Sequence, residues 1–261
     1  MALLITTDLT VRFGGHVAVN AVSCRFEPGT LTAIVGPNGA GKTTYFNLIS
    51  GQLKANSGTV TLNGIDLTGM PASARTRAGL GRAFQLTNLF PNLSVLENVR
   101  LAVQSSRDGP HRRGFNLWSI WSDHQALTDR AYEIVESVGM QDRADSQVAG
   151  LPHGDQRKLE VAMLMALDAS VFMFDEPTAG MSADEVPKVL DLIRCLRQDK
   201  STTILLVEHK MDVVRELADR IIVLHNGNLV ADGEPAAVIA SPLVQEAYLG
   251  VAPTSEAKVA A

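Results

Sequence analysis

Cysteine is nearly absent. Cys24 and Cys195 are the only two in 261 residues, far apart and in unlike contexts. That excludes a disulfide framework or a thiolate metal site and points to incidental thiols in a reducing compartment. A basic surplus is also missing. The formal charge is −5 and the pI is near 5.7, which argues against a nucleic-acid partner. Long apolar runs are missing too: the longest, 161–174, is interrupted by Asp168 and too short to span a bilayer. Any membrane association is therefore expected to come through a partner. The opening MALLITTDLT has no basic stretch followed by an apolar core, so no secretory signal is expected. No internal repeat or heptad run occurs. What remains is 46% hydrophobic and 20% charged residues, the composition of one α/β domain, with or without a subdomain, around a sizeable core.

The most informative stretch is GPNGAGKTT: Gly36, Pro37, Asn38, Gly39, Ala40, Gly41, Lys42, Thr43 and Thr44. It fits G-x-x-x-x-G-K-[ST]. Glycines let the backbone curl so that successive N–H groups face inward and cradle phosphate oxygens. Lys42 is placed to reach the β- and γ-phosphates, and the Thr43 hydroxyl to ligate Mg²⁺. Leu31–Val35 reads as a buried strand before the loop. Residues 43–49 read as a helix after it, with its positive end toward the phosphates.

Around this loop the chain alternates between strand and helix signals. Residues 3–27 read as two antiparallel strands about Gly14-Gly15. Phe13, before that turn, either stacks on a nucleotide base or faces the core. Residues 58–62 and 65–67 flank the hairpin signal Asn63-Gly64. Gln85 ends the short piece GRAFQ, where it either reaches a metal or water or is simply solvated. From 86 to about 150 the strand signal disappears. Leu93–Val103 reads as a helix, and the loop SSRDGPHRRG carries Arg112 and Arg113. Both tryptophans fall in 116–125, and Leu127, Ala131, Ile134, Val135 and Val138 have helical spacing. The reading is a helical subdomain, about 86–160, inserted into an α/β core.

LPHGDQ (151–156) leads into a helix expected over Arg157–Leu167. Gly154 lies at its N-terminal end, where N–H groups favour an anion, and His153 by itself reads as a loop residue. VFMFDE (171–176) is an apolar strand that ends in two acids, where an α/β sheet places its site. Asp175 is suited to holding Mg²⁺ through water, and Glu176 to orienting or deprotonating an attacking water. Ser182–Glu185 fits a capping box before an apolar helical stripe. Thr203–Val207 is another buried strand. His209, just past its end, either bonds a terminal phosphate or an attacking water, or is an ordinary loop histidine. Residues 221–231 form a hairpin, and the polar tail beyond about 252 is expected to fray.

Taken in order, GPNGAGKTT, AFQ (83–85), LPHGDQ, VFMFDEPTAG (171–180) and EH (208–209) resemble the ATP-binding cassette ATPases over residues 3 to 250. LFPNLSVLENV (89–99), the long insert, DEPTAGMS (175–182) and AYLG (247–250) resemble more narrowly the ATP-binding subunits of importers for branched-chain amino acids and related small amides or urea. The resemblance implies a RecA-like P-loop NTPase core, an antiparallel β-subdomain and an inserted helical subdomain. Residues 1–250 would form the ATPase domain and 251–261 a flexible tail. It implies ATP and Mg²⁺ as cofactors, Phe13 on adenine, Gln85 as Mg²⁺ sensor and link to the membrane partner, Glu176 as catalytic carboxylate and His209 as γ-phosphate switch. Pro152, His153 and Gly154 would occupy the signature position facing a second cassette's ATP. The implied partners are transmembrane permease subunits, a second cassette in a homo- or heterodimer and, indirectly, a periplasmic or surface solute-binding protein. The implied place is the cytoplasmic face of the membrane. Two features depart from the family pattern. Pro152 and Asp155 stand where the signature usually has Ser and Gln, and Ser182 replaces the usual acid after the catalytic strand. The same motifs leave two alternatives: a soluble cassette in translation or repair, and a regulatory nucleotide-binding partner with a weakened composite site.

Overall fold

The computed structural model describes residues 3–83, 89–106, 120–242 and 244–245. Gln85, Arg112, Arg113, both tryptophan side chains and the segment 246–261, with AYLG and the tail, lie outside the described residues.

Two sheets organise the fold. The first is antiparallel, in the order β2-β1-β4-β5. It comprises β1 (Leu4–Phe13), β2 (His16–Phe26), β4 (Ser57–Leu62) and β5 (Ile65–Asp66), with the turns at Gly14-Gly15 and Asn63-Gly64 as expected. The second has the order β10-β9-β3-β8-β7-β6. Its members are β3 (Leu31–Val35), β6 (Leu80–Ala83), β7 (Val171–Asp175), β8 (Thr203–Val207), β9 (Arg220–His225) and β10 (Asn228–Gly233). All neighbours pair in parallel except β9 and β10. LTAIV, VFMFD and TILLV are buried at every position. A strand covered on both faces needs a continuous apolar run rather than an alternating one.

Helix α1 (Lys42–Ser50) buries Tyr45, Phe46, Leu48 and Ile49 against the antiparallel sheet and strand residues Ile34, Met173 and Leu205. A second core joins α3 (Val95–Ser105), α4 (Ile120–Ser137) and α5 (His153–Ala166). Leu127, Ala131, Ile134, Val135 and Val138 all face it, so the helical spacing read from the sequence marks a buried stripe. A third core lies between β7, β8 and α6 (Val186–Gln198), and a fourth lies under α7 (Met211–Leu217) and α8 (Pro235–Ala240). Two helix starts differ most from expectation. α5 begins at His153 rather than at 157, because Pro152 supplies an extended N-cap residue and needs no donor there. The Ser182–Glu185 box is wired differently: the Glu185 carboxylate accepts from both the Ser182 N–H and hydroxyl, and helix α6 starts only at Val186.

The end of α1 is held by a buried arginine on α2 (Ala72–Arg77). The Arg75 Nη1 donates to the Leu48 and Ile49 carbonyls, both at 2.7 Å, while Nε and Nη2 reach Met70 and Thr68 carbonyls at 3.0 Å. The Leu48 and Ile49 carbonyls lie at the buried C-terminal end of α1, where Leu48 also accepts from the Gly51 N–H, and the Thr68 and Met70 carbonyls lie in the part-buried segment before α2. Arg75→Met is expected to remove these four hydrogen bonds, two of them fully buried, and to cost about 2–4 kcal/mol, read from urea unfolding.

Candidate nucleotide site

Sheet register brings the chemistry together. Ile34 pairs with Val207, and Val207 with Asp175. The chain therefore leaves β3, β8 and β7 side by side, into the Gly-rich loop, His209 and Glu176 respectively. Carboxyl ends of adjacent parallel strands are where an open α/β sheet binds ligands.

The loop's conformation explains its glycines. Gly36 and Gly41 have φ of 150° and 99°. A Cβ at Gly36 would lie 2.1 Å from the Leu224 carbonyl oxygen, and one at Gly41 2.4 Å from that of Ala18. No side chain caps α1, and no acid stands in its first turn, so its N-terminal dipole is open to an anion. The Lys42 ammonium folds back over the loop, donating to the Gly36 and Pro37 carbonyls at 2.6 and 2.9 Å. Burial lowers its pKa, against the opposing pull of Glu176 and Asp175. Asn38, Gly39 and Thr43 are exposed, Pro37 and Thr44 half-buried, and Ala40 buried.

Asp175 and Glu176 differ sharply although adjacent. Asp175 is buried at the end of β7; its Oδ2 accepts from Arg82 Nη2 at 2.8 Å, while Oδ1 has no hydrogen-bond partner among the described residues. Burial pushes its pKa up and the Arg82 guanidinium pulls it down. Glu176 turns outward through a left-handed backbone, φ 51°, unusual for a side chain with a Cβ. Its N–H is fixed to the Val207 carbonyl, and its Oε1 lies 2.5 Å from His209 Nε2.

The remaining candidates divide. Phe13 is 52% exposed, which rules out the core-facing alternative and leaves its ring open to a planar ligand. Gln85 lies outside the described residues, two beyond the end of β6. Pro152, His153 and Gly154 form the start of α5, and the described hydrogen bonds do not join them to the phosphate loop or Glu176. The Gly154 N–H instead donates to Glu185 Oε1 of the same chain at 3.1 Å. The Asp155 carboxylate is paired with Arg143 and Lys158, each at 3.3 Å, which offsets the repulsion that an acid in this place would exert on phosphate.

Three residues escaped the sequence reading: Arg82, Thr178 and Glu208. Arg82 is half-visible in retrospect, because a cation inside a buried strand demands an anion nearby. The other two gave no signal, since their meeting depends on which strands are neighbours.

An ion's fit can be tested on the donors. Asp175 Oδ1 and the exposed Thr43 hydroxyl are hard oxygens. Among the described residues no group of three His, Cys, Asp or Glu side chains could hold a metal alone. Such a sparse set suits Mg²⁺, which keeps several waters and takes one or two protein ligands together with substrate phosphates.

A family model described as ABC transporter matches residues 19–179, from β2 through the phosphate loop to the turn after Glu176. The high-affinity branched-chain amino acid transport ATP-binding protein LivG of Escherichia coli K12 is 38% identical over 96% of this chain and 98% of its own. The corresponding BraF of Pseudomonas aeruginosa PAO1 is 34% identical over the same shares. The crystal structure of MJ1267, an ATP-binding cassette of an ABC transporter, in its ADP conformation superposes with a TM-score of 0.81 at 27% identity, over 96% of this chain and all of that one. ATP hydrolysis coupled to transport is the activity of this family. With its P-loop core, sheet order and strand-end acids in one frame, the chain belongs to the ABC transporter family as an ATP-binding cassette.

Proposed function

We propose that this cassette powers import of branched-chain amino acids or related small amides or urea through transmembrane permease subunits, at the cytoplasmic face of a membrane. The observation that carries the hydrolytic reading is the Glu176–His209 contact at 2.5 Å beside the phosphate loop. The solute class rests on the printed function of LivG and BraF. No helix among the described residues is long and apolar enough to cross a membrane, which agrees with a transport role exercised through partners.

In this reading the loop amides of residues 36–44 and Lys42 bind the triphosphate, and Phe13 stacks on adenine. Mg²⁺, held by Thr43, Gln85 and, through water, Asp175, supplies charge neutralisation on the β- and γ-phosphates when bound. Glu176 accepts the proton of the attacking water, and His209 donates to the γ-phosphate and orients Glu176. Residues 1–250 act as one domain with the helical insert of about 86–160, and 251–261 as its tail. Pro152, His153 and Gly154 face the nucleotide of a second cassette, identical or related, and a solute-binding protein delivers cargo to the permease.

The decisive test is MgATP turnover by the purified chain as its concentration is raised, with Lys42→Ala as blank. Specific activity is expected to rise with concentration, as two copies complete each other's sites. Absence of turnover despite ATP binding would reject self-sufficiency. That outcome would point to a different cassette completing the composite site, at a helix start where the Gly154 N–H is bonded to Glu185 Oε1 of its own chain.

A further inference from the structure

The contact between Glu176 and His209 joins two turns that leave neighbouring strands, and a second contact lies directly behind it. The Glu208 carboxylate is 2% exposed, and the Thr178 hydroxyl, fully buried, donates a short hydrogen bond to its Oε1. Oε2 accepts from the N–H of His209 at 2.7 Å and of Lys210 at 3.2 Å. The Lys210 ammonium closes the ring on the Thr178 carbonyl at 3.3 Å. A carboxylate is costly to bury unless its lone pairs are filled, and here they are filled from both turns at once. Thr178 lies two residues after Glu176, and Glu208 immediately precedes His209. The pair therefore spans the two turns one layer below the reacting groups.

We infer that Thr178 and Glu208 are positioning residues. Their hydrogen bond sets the backbone of both turns so that His209 Nε2 meets Glu176 Oε1. This deepens the hydrolytic reading of the site and rests on it. Glu208 cannot swing away without losing two backbone donors, and Thr178 cannot without exposing a buried acceptor. The spacing of Glu176 and His209 is then over-determined by a contact that touches neither side chain. A misplacement on the order of 1 Å in such a constellation costs up to about a hundredfold in rate.

The test uses Thr178→Val, which keeps the shape and removes the hydroxyl, with Thr178→Ser as the conservative variant; Thr178→Ala serves if the valine form does not fold. Thr178→Val is expected to lower kcat about ten- to a hundredfold, with the KM for ATP within about twofold, and serine to restore it. In a His209→Ala background the same change is expected to cost less than about twofold, because the group it positions is gone. An additive loss there would mean general destabilisation and would overturn the inference. A readout independent of turnover is the NMR signal of the imidazole proton that His209 shares with Glu176, recorded on nucleotide-free protein. It is expected in wild type and Thr178→Ser and to vanish in folded Thr178→Val. Persistence of both signal and kcat in folded Thr178→Val rejects the positioning role. Undiminished turnover in Glu176→Gln together with loss of the signal in Thr178→Val would sink the hydrolytic reading and leave the positioning intact.

Discussion

Glu176→Gln is expected to lower ATP turnover by about 10²- to 10⁴-fold while leaving ATP binding intact, the range that removal of a positioned general base costs. The geometry makes the two effects separable. The phosphate-binding groups sit on the loop and α1, and Lys42 is held by the Gly36 and Pro37 carbonyls rather than by Glu176. Glutamine preserves the volume and a hydrogen bond to His209 but cannot accept the proton of water. It also keeps the left-handed backbone at φ 51°, which is set by the Val207 bond and not by the carboxylate. The variant is therefore expected to retain its fold and to accumulate, with ATP, as a paired species on size exclusion. Full turnover in Glu176→Gln would transfer the base to another group and reject the assignment.

Arg82→Met is expected to cost about 3–5 kcal/mol of folding stability, because it strands the Asp175 charge in the interior. The Arg82 and Asp175 side chains are 6% and 0% exposed. Arg82 Nη1 also donates to Asn47, Ser50 and Gln52 at 2.7, 2.9 and 3.2 Å, and its guanidinium centre lies 5.2 Å from the Phe46 ring centroid. One cation thus ties the strand carrying Asp175 to the helix carrying Lys42. The pH dependence has a definite sign. Asp175's folded pKa is raised by burial, so its ionised form costs stability above that pKa and the cost fades as pH falls through it. Without Arg82 the folded pKa moves further up. The gap between variant and wild type in urea unfolding is expected to be widest at neutral pH and above, and to narrow as pH is lowered. Adding Asp175→Asn to Arg82→Met should recover much of the loss. A penalty under about 1 kcal/mol for Arg82→Met would show that water reaches Asp175.

Much of the site was legible beforehand for a physical reason. A phosphate cradle needs consecutive local residues of restricted type, so GPNGAGKTT carries its chemistry in the order of its letters. Buried parallel strands need continuous apolar runs, and LTAIV, VFMFD and TILLV mark themselves in that way. For Phe13 the sequence supports two readings, since alternation in a bulged strand does not tell which face is covered; the fold exposes it. The start of α5 is not legible in the sequence because Pro152 and Gly154 read as loop residues, whereas proline suits the edge of a helix and this glycine lies against Glu185.

By itself the sequence determined the phosphate loop, the strand-end acids, the helical stripe of α4 and the family. All of these depend on residues close together in the chain or on a period along it. Only the tertiary structure decided that β8 lies between β3 and β7, which sets Glu176 against His209 and Thr178 against Glu208, and that Arg82 is the counter-ion of Asp175. Those contacts join residues 30 to 93 positions apart. Side-chain pairing across a parallel sheet follows strand order and register, which no local pattern encodes.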